Sequence, residues 1–146
     1  MKKSLLAVCL LPFAFGATSA FAADPCADPA LVQKAASAES MAKAKQYPQA
    51  EVAARAVIAV CPNQPVAVVT LGHSLAGQKK YDTAVATLSS AIAVKPDLAY
   101  AYFWRGQAYY GLRQKDKMLV DFTTFLKLAP TAPEASTVKQ LLGGIR

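Results

Sequence analysis

The sequence predicts an all-α fold in which three helix hairpins stack into a solenoid and a final helix covers the open end. Prolines recur at Pro62, Pro96 and Pro130, at intervals of 34 residues, and a period of roughly 20 to 50 residues is typical of stacked repeats. Within each period, apolar residues recur three and four positions apart, which indicates helices. A break near the middle of each period divides it into two helices, so each period predicts one hairpin.

The first 22 residues are predicted to be a secretory signal peptide outside the fold. Met1, Lys2 and Lys3 form a basic start, residues 5–15 are apolar, and Ala20-Phe21-Ala22 is a small-x-small cleavage site. The apolar run is shorter than the about 20 residues that span a bilayer. We therefore expect export across the inner membrane and a periplasmic location for the remaining domain, residues 23–146.

Composition places this domain among folded proteins. The whole chain has 146 residues, 54% of them hydrophobic, and a net charge of +7, which excludes a disordered tail. Since Lys2 and Lys3 leave with the signal peptide, 124 residues with a net charge of +5 remain. That length corresponds to one domain.

Cysteine usage fits an exported protein. Cys9 leaves with the signal peptide, so two of the three cysteines remain, Cys26 and Cys61. An even number in an oxidising compartment favours a disulfide, and the alternative is two unrelated buried thiols. Two cysteines and His73 fall short of the four ligands of a structural zinc site. We therefore predict neither a metal site nor a cofactor.

The repeats are predicted to span residues 31–64, 65–98 and 99–132. In the second repeat, Leu71 and Leu75 lie on one helical stripe, a polar segment at 77–80 interrupts it, and Ala84 and Leu88 begin the next stripe. One small residue recurs in each repeat at a position that should face the neighbouring helix and allow close approach: Ala38, Gly72 and Gly106. Asp28-Pro29 and Pro96-Asp97 offer capping carboxylates, and Pro48 suits the first turn of another helix.

A seventh helix is predicted over residues 131–142. Thr131 and Glu134 have the spacing of a capping box, and three apolar residues at helical spacing follow, Val138, Leu141 and Leu142. This helix would cover the apolar face of the third hairpin, as terminal units do in repeat proteins. In an antiparallel hairpin, Cys26 before the first helix and Cys61 after the second would be neighbours.

These phased residues resemble the tetratricopeptide repeat family. The second repeat matches its pattern best, through Val68, Leu71-Gly72, Leu75, Ala84, Leu88, Ala91 and Pro96. The third keeps Tyr102, Gly106, Tyr109, Phe122 and Pro130 but departs at Arg105, Met118 and Phe125, and the first repeat matches least. The resemblance covers about 100 of the 124 residues and implies a right-handed α-solenoid; it is specific to the fold and not to a function.

The resemblance also implies a concave groove that binds a peptide or a partner helix. Family positions that face the groove, together with Trp104, give the predicted peptide-binding residues: Val66, Val69, His73, Tyr100, Phe103, Trp104, Gln107 and Tyr110. Ala35, Val69 and Phe103 stand where members that clamp a C-terminal carboxylate place polar residues, so the resemblance argues against such a partner. Tyr100, Phe103 and Tyr110 have an alternative role as core beneath the last helix.

Half of the basic residues that remain after processing fall near the turns between the two helices of a repeat. We call this set the basic ridge: Lys43, Lys45, Lys79, Lys80, Arg113, Lys115 and Lys117. Either the ridge is a solvated face with lysines near helix C-termini, or it contacts an anionic surface, such as lipid headgroups or an acidic protein. Export argues against nucleic acid as a partner.

Catalytic patterns are lacking in the sequence. His73 is the single histidine, adjacent residues such as Ser74 point about 100° away on a helix, and no phosphate-binding glycine loop is present. We therefore predict a non-catalytic adaptor with a protein or peptide partner in the cell envelope. The alternative is an envelope-associated structural module in which the ridge contacts lipid or acidic protein and the groove is filled by the final helix or by a second copy.

Overall fold

The computed structural model describes residues 25–144, and this part of the chain is entirely helical apart from its turns. A short 3₁₀ helix, Pro25–Ala27, is followed by seven α-helices: α1 Pro29–Lys43, α2 Tyr47–Val60, α3 Pro65–Gly77, α4 Tyr81–Val94, α5 Ala99–Gly111, α6 Lys115–Leu128 and α7 Ala135–Gly143. The all-α prediction is confirmed. The predicted signal peptide and Cys9 lie outside the described residues.

The 34-residue period is visible in the helix boundaries. Helices α2, α4 and α6 begin at Tyr47, Tyr81 and Lys115 and end at residues 60, 94 and 128. Pro62, Pro96 and Pro130 each come two residues after such a helix ends, where proline cannot continue the helix. Each helix packs against its neighbours in the chain, and α1, α3 and α5 also pack side by side, so the hairpins stack in one row.

Small residues set the close approach of the helices. A Cβ atom on Gly72 would collide with the side chain of Leu88, and one on Gly106 would collide with the ring of Phe122. The predicted role of these glycines in hairpin packing is confirmed. Ala38, their counterpart in the first repeat, is fully buried.

The core changes in character along the solenoid. Around the first two repeats it consists mainly of alanine and leucine, including Ala54, Leu75 and Leu88. In the third repeat it is built from Phe103, Phe122, Phe125 and Met118, with Val138 of α7 in the same cluster. Leu141 and Leu142 pack against this cluster as well, which confirms that α7 covers the third hairpin.

Two predicted helix starts are corrected. Helix α7 begins at Ala135 rather than at Thr131, and Glu134 makes no capping hydrogen bond because its carboxylate accepts one from the Tyr100 hydroxyl. Asp97 does not cap α5, since it pairs with Lys95 instead. Asp28 does cap α1, and its carboxylate accepts a hydrogen bond of 2.9 Å from the backbone N–H of Ala30.

The two described cysteines form a disulfide. Cys26 and Cys61 are bonded with their Cα atoms 5.2 Å apart, and 35 positions separate them in sequence. Cys61 is buried among Leu31, Ala35 and Val57. The bond therefore ties the segment before α1 to the end of α2.

Candidate functional site

The candidate site is an open cavity of about 660 Å³ along α1, α3 and α5. We call it the groove. Apolar residues of α3, among them Val66 and Val69, form part of its wall, and the segment before α7 contributes Pro133 and Glu134. Other lining residues are Glu39, Ala42, Lys43, Lys45, Tyr47, Pro65, Thr70, His73, Asp97, Leu98, Ala99, Tyr100 and Trp104.

An aromatic stack forms one part of the groove wall. The rings of His73 and Trp104 are nearly parallel, with an interplanar angle of 10° and centroids 3.5 Å apart. Tyr47 meets His73 edge to face at 5.6 Å. Burial lowers the pKa of His73 to about 4, so the imidazole is neutral at pH 7 and adds an aromatic surface rather than a charge.

A hydrogen bond ties the segment before α7 to the groove. The Tyr100 hydroxyl donates to Glu134 Oε2 at 3.0 Å across 34 positions of sequence. Burial, and then the bond to the Glu134 carboxylate, raise the pKa of Tyr100. Ring contacts with Phe103 and Phe125 hold the other end of the Tyr100 side chain. The groove wall and the third core are therefore connected through Tyr100.

The groove carries charges of both signs. Lys43 pairs with Glu39 at 2.7 Å, and Asp97 pairs with Lys95 at 3.1 Å, which lowers the pKa of Asp97. Two cationic and three anionic side chains line the groove in total, Lys43 and Lys45 against Glu39, Asp97 and Glu134. The charged side chains that line the groove sum to −1, so an acidic ligand would meet no net positive charge here.

Some of the predicted groove residues line the groove in the structure and others do not. Val66, Val69, His73, Tyr100 and Trp104 line the groove, as predicted. Tyr47, Asp97 and Glu134 also line it and were missing from the predicted set. The phase of Tyr47 with Tyr81 could have indicated the first of these, whereas the sequence pattern around Glu134 favoured a helix cap.

The assignment of Phe103 to the groove is wrong. Only 5% of its surface is exposed, because its ring packs against Phe125 at 5.0 Å and Phe122 at 6.0 Å. Phe103 is therefore core, which was the alternative role stated for it. Gln107 and Tyr110 are not among the residues that line the groove; Tyr110 is 59% exposed and borders a second cavity near the α5–α6 turn.

The residues of the basic ridge lie in or beside the three turns between the helices of a hairpin. Successive turns are in contact, because the ring of Tyr47 packs on Gly77 and that of Tyr81 packs on Gly111. The ridge therefore runs along one edge of the solenoid.

Part of the ridge is engaged in contacts within the chain. Lys80 pairs with Glu51 at 3.1 Å, and Lys117 Nζ lies 5.4 Å from the centre of the Tyr109 ring. Glu51 also accepts hydrogen bonds from Gln78 and Arg55. These contacts, the one from Gln78 first, lower the pKa of Glu51 to about 2. Lys115 also has a partner within the chain.

Residues 25–144 contain no group of three or more His, Cys, Asp or Glu side chains placed to hold a metal ion. No helix in the same part of the chain has the length and apolarity needed to cross a membrane. Ser74 Oγ is buried and has no hydrogen-bond partner there, His73 included.

Comparison with known proteins gives one consistent result. A family model described as tetratricopeptide repeat matches residues 71–143. The search of curated proteins finds no match.

Solved structures with the same fold include the first TPR domain of human RPAP3, with 21% identity and a TM-score of 0.66 over 78% of this chain and 93% of that one. The Arabidopsis OM64 TPR domain has 18% identity and a TM-score of 0.68 over 77% and 93%. The first TPR of Spaghetti (RPAP3), bound to the HSP90 peptide SRMEEVD, has 24% identity and a TM-score of 0.62 over 76% and 94%. With half of its length matched by the family model and its hairpins stacked in the same way, the chain belongs to the tetratricopeptide repeat family.

Proposed function

We propose that this protein is a non-catalytic adaptor that holds an apolar peptide or partner helix in the groove. Tetratricopeptide repeats are protein–protein interaction domains, and one structural neighbour is a complex with a peptide. The observation that carries the proposal is the open groove with exposed Val66 and Tyr100 beside the Trp104 ring. Aromatic and apolar side chains supply contact area of the kind that dominates binding hot spots.

The chemistry of the groove favours an apolar ligand over an acidic one. The HSP90 peptide bound to the structural neighbour contains three acidic residues, and here such a peptide would meet Glu39, Asp97 and Glu134. Lys43 is already paired with Glu39. We therefore expect this peptide to bind far more weakly than an apolar, aromatic-rich one.

Trp104 allows a direct test, because it is the single tryptophan of the chain and lies in the groove. Peptides selected from a displayed library on the wild-type protein should change its fluorescence on binding. The double variant V66S/Y100S should weaken their binding about tenfold or more, since two apolar contacts are lost. The peptide SRMEEVD serves as the acidic comparison.

The chain offers a matched control for this test. Val52 and Tyr110 are exposed and lie outside the groove, so V52S/Y110S should leave the affinity within about twofold of wild type. If both double variants weaken peptide binding equally, or if neither weakens it, the groove is not the peptide-binding site. Because Tyr100 also contacts Phe103 and Phe125, a wild-type circular dichroism spectrum at the assay temperature is the check that V66S/Y100S remains folded.

We further propose a second contact, through the basic ridge, with an anionic surface of lipid or acidic protein. Its support is the row of cations along the turn edge. The N-terminal signal pattern supports export and a periplasmic location, which would place the partner in the cell envelope. A second copy of this chain is another candidate occupant of the groove. If the affinity for an anionic surface does not change between low and high ionic strength, the ridge does not contribute to that binding.

A further inference from the structure

Each of the three repeats places a basic residue at the same unusual backbone position. Lys45, Lys79 and Arg113 have φ angles of 61°, 62° and 57°, and among residues 25–144 they are the only residues other than glycine with positive φ. We call them the turn cations. They are a subset of the basic ridge.

Each turn cation occupies the position that follows a helix C-cap. After α1, the backbone N–H of Lys45 donates to Ala42 O and the N–H of Gln46 donates to Met41 O. The same pair of hydrogen bonds recurs around Lys79 and Arg113. This is the Schellman motif, in which glycine is the usual residue because a Cβ atom disfavours the left-handed conformation. The backbone of all three turns therefore favours glycine over the residue that is present.

The side chains of the turn cations have no compensating contact within the described chain. All three are exposed, and none makes an ion pair or a hydrogen bond there. Their ridge neighbours Lys43 and Lys80 do pair, with Glu39 and Glu51. Three unpaired positive charges thus stand at positions that cost the fold stability.

The turn cations form a row with regular spacing. Successive turns touch through Tyr47 on Gly77 and Tyr81 on Gly111, and packed helices lie about 8–10 Å apart between their axes. The row therefore has steps of about 10 Å. An extended chain in the polyproline II conformation rises about 3.1 Å per residue with three residues per turn, so every third side chain lies on the same face at intervals of about 9 Å.

We propose that the turn cations bind an extended acidic segment of a partner protein, with carboxylates at about every third residue. This rests on the second contact proposed above and names its partner. Asp82 and Asp116 are exposed beside the turns, where a flat anionic membrane would press against them, whereas a narrow extended segment can follow the row alone. Charge complementarity therefore favours an acidic segment over a lipid surface.

Two synthetic heptapeptides of identical composition test the spacing. One has glutamate at positions 1, 4 and 7, the other at positions 1, 2 and 3, and both otherwise contain glycine and serine. Titration at low salt, followed by NMR shifts of the turn amides, should show binding of the spaced peptide that is several-fold tighter than that of the clustered peptide. Equal affinity of the two peptides would overturn the proposal.

The variant K45G/K79G/R113G removes the charges and relieves the backbone, so it should melt at the wild-type temperature or above. It should bind the spaced peptide about tenfold more weakly, as expected for three exposed ion pairs. The control K34Q/K127Q/K139Q removes the same charge from exposed positions outside the ridge and should stay within about twofold of wild type. Equal weakening by the control would contradict the proposal.

Vesicles of phosphatidylglycerol and phosphatidylethanolamine provide the competing outcome. If the wild-type protein sediments with them through the turn cations and ignores the spaced peptide, the partner is lipid and the proposal is wrong. Binding of groove-selected peptides, read from Trp104 fluorescence, should be the same in K79G/R113G, which keeps the groove-lining Lys45. A failure of the ridge can thus be distinguished from a failure of the groove.

Discussion

Single residues show where the repeats depart from one another. Ser74 and Ala108 occupy the same position of the second and third repeats, and both are fully buried. The hydroxyl of Ser74 has no hydrogen-bond partner among residues 25–144. In the first repeat the equivalent Ser40 is exposed and donates to Ala36 O. A buried hydroxyl without a partner destabilises the folded state.

We therefore predict that Ser74→Ala raises the free energy of unfolding by about 1 kcal/mol more than Ser40→Ala does. Both substitutions improve helix propensity equally, so the difference between them compares the buried, unpartnered hydroxyl of Ser74 with the exposed, hydrogen-bonded hydroxyl of Ser40. Urea unfolding of the two variants measures it. Equal changes would mean that Ser74 is satisfied by water in solution.

His73 makes stability depend on pH in a defined window. Its pKa is about 4 when folded and about 6.5 when unfolded, so between these values the unfolded chain binds more protons. The contribution of neutral His73 to the free energy of unfolding is therefore fully present above pH 6.5 and is lost as the pH drops toward 4. Glu51, whose pKa is lowered to about 2, loses its contribution at lower pH, below about 4.5.

The His73 contribution should amount to about 1 to 2 kcal/mol between pH 7 and pH 5. His73→Phe keeps a ring against Trp104 and should remove this part of the pH dependence, as measured by urea unfolding followed through Trp104 fluorescence. A variant with the same slope as wild type over this window would assign the effect to another group.

At the scale of the helix, a buried ion pair links three elements. Arg105 of α5 donates to both carboxylate oxygens of Asp121 on α6 at 2.8 Å, and to Ser89 Oγ on α4 at 3.0 Å. Asp121 is only 2% exposed, and the bond to it raises the pKa of Arg105. The guanidinium also lies near the rings of Tyr102 and Tyr109. The second and third hairpins are thereby joined by polar contacts as well as apolar ones.

We predict that Asp121→Ala costs about 3 to 5 kcal/mol, because it leaves the Arg105 charge without its partner. Asp116→Ala, at an exposed site on the same helix, should change stability by less than about 0.5 kcal/mol. The double variant R105M/D121L should recover much of the loss. Thermal unfolding measures all three. A small effect of Asp121→Ala would mean that water solvates the Arg105 charge once its partner is removed.

The sequence was most informative about the elements that the repeat governs. Period and apolar spacing predict the six hairpin helices, because each must bury one face against its neighbour. The start of α7 could not be predicted, since Glu134 bonds to Tyr100 from a distant element instead of capping its own helix. Asp97 was misread as a cap for a local reason, because it pairs with Lys95 two positions before it.

The sequence predicted some of the groove residues correctly and missed others, because it shows the face of a helix on which a residue lies but not the contacts made by distant elements. Position on a helix face identified Val66, Val69 and Tyr100, but it could not show that the Phe122 and Phe125 rings draw Phe103 into the core. The turn cations could be placed near the turns from sequence alone. Their left-handed backbone could not, because lysine and arginine do not favour that conformation.

At the scale of the whole molecule, stability is distributed along the row of hairpins. Within residues 25–144, each hairpin packs mainly against the hairpins next to it, as in other repeat arrays. The third core is rich in phenylalanine and covered by α7, whereas the first contains mainly small side chains and the disulfide. The bond between Cys26 and Cys61 therefore supports the end of the molecule with the least apolar bulk.

Replacing both cysteines by alanine should lower the free energy of unfolding by about 4 kcal/mol, the chain-entropy value for a loop of this length. Because coupling passes only between neighbours, amide hydrogen exchange should accelerate most in α1 and α2 and least in α5 and α6. The Arg105–Asp121 pair and the aromatic core, both remote from the bond, provide the internal control within one experiment. An equal loss of protection in all six helices would show instead that the solenoid unfolds as a single cooperative unit, with the disulfide stabilising all three hairpins alike.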